Sequence, residues 1–274
     1  MRASASLLPL ALTALLAACG DNLTYPDGAG SGVTVLACAP NLDGAITSDE
    51  VPVVLDSAAP FRVATGIQVN LDGTVLASGR RRFEFSGNYA GDREVSLTAR
   101  PLSSRWYAAR FPGGEFAAPM DIAGALEGVY ARTSDGLRLL GFASPTENPS
   151  EGQTLMVYDV PALVLPLPLR VGATWIATAR VQGGTLRGSP YNGTDRYEGV
   201  AAGAGELRLP DLTFSSVIQV RMKATLSPSS GTPIVRRQAG FYAECFGEVA
   251  RATAADGDES ASFTTAAEVR RFAP

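Results

Sequence analysis

From about residue 50 onward, hydrophobic and polar positions alternate with a period of two. The clearest run is TFSSVIQVRMKATL. Phe214, Ile218, Val220, Met222, Ala224 and Leu226 fall on one face, and Ser215, Gln219, Arg221, Lys223 and Thr225 on the other. Successive side chains of a strand point to opposite faces of a sheet, so this pattern predicts a long half-buried antiparallel strand. Trp175, Ala177, Ala179 and Val181 alternate with Thr174, Thr178, Arg180 and Gln182 in the same way. Further strands are expected over 61–71, 82–86, 94–100, 105–110, 128–133, 137–143, 154–159, 196–201, 234–242, 248–253 and 260–272. Turn clusters such as LDGT, SGNYAGD, SPTENPSEG, SPYNGTD, SPSSGTP and AADGDES separate them. Regularly spaced short strands predict an all-β fold: one curved, mostly antiparallel sheet, closed as a half-barrel or a sandwich. The one stretch suited to a short helix is 121–127, where Asp121 would cap a turn of apolar residues.

The first nineteen residues do not share this pattern. Arg2 precedes the apolar run LLPLALTALLAA, which is too short to anchor in a bilayer and ends in small residues, as a cleavable signal does. Leu16-Ala17-Ala18-Cys19 resembles a bacterial lipobox. That resemblance implies a signal peptide over 1–18 and lipidation of Cys19. Several acyl chains at about 0.8 kcal/mol per buried methylene would then hold the protein to a membrane. Gly20, in place of Asp, favours the outer membrane by the same resemblance. The alternative is an ordinary secretory signal with a chance cysteine. Residues 19–37 are rich in Gly, Asp and Ser and read as a flexible tether. Residues 38–274 read as one β-rich domain, with 144–152 as the best place for a subdomain joint.

Composition narrows the chemistry. The chain has 274 residues, 46% hydrophobic content and a net charge of −4. That suffices for a core and argues against a nucleic-acid partner. It contains no histidine, which removes His-dependent triads, His-based zinc sites and haem axial His. No carboxylate pair is singled out by context, so no catalytic residue is assigned and no enzymatic activity is expected. With Cys19 lipidated, Cys38 and Cys245 remain. In an oxidising compartment they most simply form a disulfide, the alternative being two separate buried thiols.

The stretch CAPNLDGAITSDEV reads like most of a calcium loop, with Asn41, Asp43, Gly44 and Glu50 at EF-hand spacing. Ala39 stands where the first ligand belongs, and Pro40 restricts the start. Weak calcium binding through Asn41, Asp43 and Glu50 is therefore the minor reading, and calcium the only cofactor to consider. The competing reading is a turn at Asp43-Gly44 and a short helical turn capped by Thr47 or Ser48. The cluster Arg80-Arg81-Arg82 reads either as a contact for anionic headgroups or as a solvated strand end with its charges paired.

Three segments in order, VYDVPALVLPLPLRVGATW, LRLPDLTFSSVIQVRM and GFYAECFGEVAR, are similar to a pattern of bacterial envelope proteins. The stretch WYAARFPGGEFAAPMDIAGALEGVYARTSDGLRLLGFASP resembles the first half of myxobacterial-type hypothetical outer-membrane lipoproteins. The resemblance implies a curved antiparallel sheet related to the half-barrel of lipoprotein carriers, and no catalytic residues. The expectation is a lipid-anchored envelope protein, structural or binding a hydrophobic ligand, with the membrane and an envelope protein as partners. Trp175, Phe214, Ile218, Val220, Met222 and Phe241 would line its groove or core. A calcium-dependent surface or adhesion module is the alternative.

Overall fold

The computed structural model describes residues 22–24 and 38–274. The signal peptide, Cys19 and most of the 19–37 tether lie outside the described residues. Among these residues, thirteen strands are four or more residues long. They are β1 (Ala58–Ala64), β2 (Arg81–Glu84), β3 (Arg93–Thr98), β4 (Phe116–Pro119), β5 (Glu127–Thr133), β6 (Gly136–Ala143), β7 (Leu155–Pro166), β8 (Thr174–Leu186), β9 (Ser189–Arg208), β10 (Thr213–Pro228), β11 (Ile234–Ala243), β12 (Gly247–Ala254) and β13 (Thr265–Phe272). From β4 to β13 each strand pairs antiparallel with the next. β13 pairs with β1 and β1 with β3. Just beyond β3, Arg100 and Pro101 pair with Ala117 and Phe116 of β4. The pairings thus return on themselves, and the curved sheet is nearly a barrel. β2 runs parallel to the end of β9.

The alternation seen in the sequence sets the two faces. On β8, Trp175, Ala179 and Val181 are buried while Ile176, Arg180 and Gln182 are exposed, so the odd positions face the inside. Gly199 faces Trp175 across the β8–β9 pair. A Cβ at Gly199 would stand 2.2 Å from the indole, so only glycine lets the ring lie on the sheet.

β10 departs from strict alternation. Between Gly205 and Leu207 the β9–β10 register slips, and two residues of β9 span three of β10. The bulge at Ser215-Ser216 turns Phe214 to the face opposite Ile218, Val220 and Met222. Phe214 and Phe241 belong to an outward cluster with Phe83 and Phe85, whereas Trp175, Ile218, Val220 and Met222 belong to the inward one. Phe241 meets Phe83 and Phe85 edge-on at 5.0 and 5.2 Å. Each fully buried ring of this kind contributes roughly 1.5–3 kcal/mol over an exposed one. Both faces of β10 are therefore buried where residues 65–92 cover it, a layer that the period alone does not reveal. Asn22 fastens the bulge. Its Oδ1 accepts the Ser216 amide and the Ser215 hydroxyl, and its Nδ2 donates to the Ser216 carbonyl. Leu23 and Thr24 pair with Phe214 and Thr213. Two residues of the expected tether, Leu23 and Thr24, are thus part of the sheet, and Asn22 is bonded to it.

Three other expectations are corrected. No helix forms at 121–127; the Asp121 carboxylate accepts the amides of Ala125 and Leu126 and makes a turn, and β5 starts at Glu127. The 61–71 strand is interrupted after Ala64 by a turn through Gly66 (φ +67°). The 105–110 segment is not a strand; it follows the 3-10 turn Leu102–Ser104 and ends in a second one, Ala108–Arg110. It is held on the outer face by Glu127, which accepts the Tyr107 hydroxyl at 2.5 Å and pairs with Arg105.

Candidate functional site

Three places gather functional groups: a latch where the N-terminal segment meets the barrel, the barrel interior, and a cleft on its outer face.

The latch contains the calcium-loop stretch. Cys38 and Cys245 are joined by a disulfide, with Cα atoms 5.5 Å apart. Asn41, Asp43 and Glu50 are brought together, as their spacing suggested, but their oxygens face N–H and O–H donors. Glu50 Oε1 accepts Asn41 Nδ2 at 2.8 Å, and Oε2 accepts the Thr47 amide and hydroxyl. Asp43 Oδ1 accepts the Ala45 amide. Glu244, invisible as a partner in the sequence, accepts the amides of Asn41 and Leu42 at 2.7 and 2.8 Å. Glu50 and Glu244 are both buried. A cation here would have to displace these donors. Among the described residues no group of three or more Asp, Glu, Cys or His is placed to hold a metal. In the structure these residues form a hydrogen-bonded latch. Ser48–Glu50 forms a 3-10 turn with Thr47 as its N-cap residue, and the Glu50 carboxylate reaches back to the Thr47 amide. Ala45 and Ile46 then pair with Arg170 and Leu169.

The interior has two arcs. Along β7 to β10 it is apolar, except for a hydrogen-bonded chain. Tyr158 donates to Asp195 Oδ2 at 2.6 Å, and its hydroxyl lies 2.7 Å from that of Tyr197. Asp195 is 1% exposed and its Oδ1 has no partner. Burial pushes its carboxyl above the usual range, against the opposing pull of the Tyr158 hydrogen bond. Burial likewise pushes the Tyr158 hydroxyl well above its ordinary value, helped by Tyr197 and Asp195. Trp175 is 8% exposed, and its Nε1 also has no partner. Cross-strand partners share a face, so Tyr242 and Glu248 lie on the face of Ile218, and Arg251 and Arg270 on that of Val220. This second arc is charged but paired, Arg251 with Glu248 and Arg270 with Glu268. Tyr130, Gln238, Tyr242, Glu248, Arg251 and Thr253 remain half-buried although they face inward. Trp175, Phe214, Ile218, Val220, Met222 and Phe241 are all buried, on two faces rather than along one groove.

The outer surface carries a cleft of about 440 Å³ across β8, β9 and β10, lined by Arg180, Gln182, Asn192, Thr194, Ser227 and Ser229. A smaller one, about 210 Å³, is lined by Arg62, Tyr89, Asp92 and Arg93 among others. Behind it Arg271, fully buried, pairs with Asp92, donates to the Gly87 carbonyl and lies 4.4 Å from the centre of the Tyr89 ring. The Arg80–Arg82 cluster is occupied at home: Arg80 donates to the Ser215 carbonyl, Arg81 to the Asp72 carbonyl, and Arg82 pairs with Glu206. Trp106, whose Nε1 donates to the Ser144 carbonyl, and Tyr107 serve packing. Asp195, Tyr158, Tyr197, Glu244 and Arg271 were not singled out from the sequence. Asp195 carried one signal, an acidic residue in phase with Tyr197, Gly199 and Ala201 on a strand that turns its odd positions inward. No protein family, curated protein or solved structure matches the chain.

Proposed function

We propose that this is a lipid-anchored cell-envelope protein of non-enzymatic type, in which the barrel serves as a stapled structural domain. The anchoring and the outer-membrane address rest on the resemblance of Leu16-Ala17-Ala18-Cys19 to a lipobox. The structural role rests on one observation: all six side chains that would line a hydrophobic groove are buried against neighbouring side chains. A second reading, an internal binding site for a small hydrophobic ligand, draws on the half-buried inward residues of β11 and β12 and on the unpartnered Trp175 Nε1. Mass spectrometry of the detergent-extracted protein under native and denaturing conditions separates the two. The structural reading expects a mass accounted for by the chain and its N-terminal lipid. A stoichiometric small molecule released on denaturation would replace it with the binding reading. Cys19→Ala is expected to move the protein from the membrane fraction to the soluble one. Retention in the membrane would contradict the anchor.

A further inference from the structure

We propose that the outer-face cleft on β8, β9 and β10 is a binding site for an acidic saccharide, a hydroxyl-rich ligand that carries an anionic group. The cleft originates in a defect of the sheet. The β8–β9 register slips between Val181 and Gly184, and Gly183 takes up the extra residue at φ +65°. Bulges of this kind re-aim side chains and cluster beside functional sites. Asn192 Oδ1 accepts the freed Gly183 amide at 2.7 Å, which fixes the carboxamide and leaves its N–H₂ unbound.

Three adjacent strands thus bring together a guanidinium (Arg180), two amides (Gln182, Asn192) and three hydroxyls (Thr194, Ser227, Ser229). Among the described residues, the guanidinium of Arg180, the amide of Gln182 and all three hydroxyls make no side-chain hydrogen bond or ion pair. Elsewhere on the same outward face three cations are committed. Arg196 pairs with Glu198, Arg221 with Asp72 and Lys223 with Glu259, whereas Arg237, beside Lys223 and away from the cleft, makes no ion pair among the described residues and its Nε has no partner. The volume falls in the range of small-ligand sites, roughly 300–1,000 Å³, but the lining is polar rather than apolar. Amides and hydroxyls both donate and accept, as sugar hydroxyls do. Arg180 adds one positive charge on a chain of net −4, and a guanidinium matches a carboxylate in a two-pronged geometry. The Asp159 carboxylate accepts the Arg180 backbone amide and feels its charge, but makes no direct contact with the guanidinium; a neutral sugar would leave the guanidinium without a direct partner, and a bare anion would leave the amides and hydroxyls unused.

The test is isothermal titration of the full chain in detergent with three probes: a galacturonic acid oligosaccharide, maltotriose and inorganic phosphate. Saturable binding of the uronate is expected, at least tenfold weaker for maltotriose and for phosphate. Arg180→Gln should weaken uronate binding at least tenfold and Thr194→Val severalfold. Arg196→Gln, outside the cleft on the same face, should leave it unchanged. All three positions lie on the surface, and matching thermal midpoints establish that each variant is folded. Absence of saturable uronate binding overturns the proposal. So does binding that Arg180→Gln and Thr194→Val leave intact, or phosphate binding as tight as that of the uronate.

Discussion

The latch and the outer cleft are built from the same kinds of polar group, spent in opposite ways. At the latch, Glu50 and Glu244 are buried and accept donors from within nine residues or from the segment being fastened. Buried acceptors left unpaired are costly, so these groups are committed to holding the chain. At the cleft, amides, hydroxyls and a guanidinium remain in solvent with few internal partners. Polar groups that close a structure cannot also recognise a ligand, and the molecule separates the two tasks. The latch lies where β11 ends and β10 begins, beside the docked Asn22. The cleft lies toward the opposite end, by the β8–β9 and β10–β11 turns.

This contrast ranks the expected effects of substitutions. The disulfide closes a sequence separation of 207 residues. In the chain-entropy treatment, Cys38→Ser should cost about 5 kcal/mol, read as a lowered denaturant midpoint. A loss under 1 kcal/mol would mean that the latch is not a staple. Glu244→Ala leaves the Asn41 and Leu42 amides unpaired and should cost about 1–3 kcal/mol. Arg180→Gln at the cleft should change stability by less than about 0.5 kcal/mol, as surface substitutions do. If it destabilises as much as Glu244→Ala, the two regions are not different in kind. Calcium at millimolar concentration, or chelator, should leave the melting midpoint where it is. An upward shift would return the latch to the metal reading.

Between these ends sits Asp195, a carboxyl whose burial raises its pKa in the folded state. The sign follows directly. The folded protein binds this proton more tightly than the unfolded chain, so the contribution is fully present below the ordinary carboxylate pKa and is lost as pH rises through the folded value. Asp195→Asn should therefore flatten this fall. The variant's gain over wild type should grow as pH is raised from 4 towards 8. Parallel stability curves for the two proteins over that range would mean that Asp195 does not titrate within the fold.

The sheet was legible because alternation records one buried face, and β8, β9 and most of β10 carry it cleanly. The pairing of Cys38 with Cys245 was legible by elimination. Phe214 was placed on the wrong face because a single added residue at Ser215-Ser216 inverts the phase, and the sequence there shows only two serines. Arg105–Arg110, with Trp106 and Tyr107, reads as a short strand, but Tyr107 and Arg105 are drawn to Glu127, a contact that only tertiary structure supplies. At the latch, Asn41, Asp43 and Glu50 are legible as a group from their spacing, but the hydrogen bonds that Glu244 adds are not, because Glu244 is distant in sequence. The cleft was out of reach for the same reason as Phe214: it depends on a bulge.

Amide hydrogen exchange on the oxidised full chain, with and without the galacturonic acid oligosaccharide, tests the separation of fastening from recognition most directly. The account predicts slow exchange of the Asn41, Leu42, Ala45 and Thr47 amides in both conditions, with ligand protection confined to 180–183, 192–194 and 227–229. Fast exchange across the latch, or ligand protection centred on it, would contradict the account.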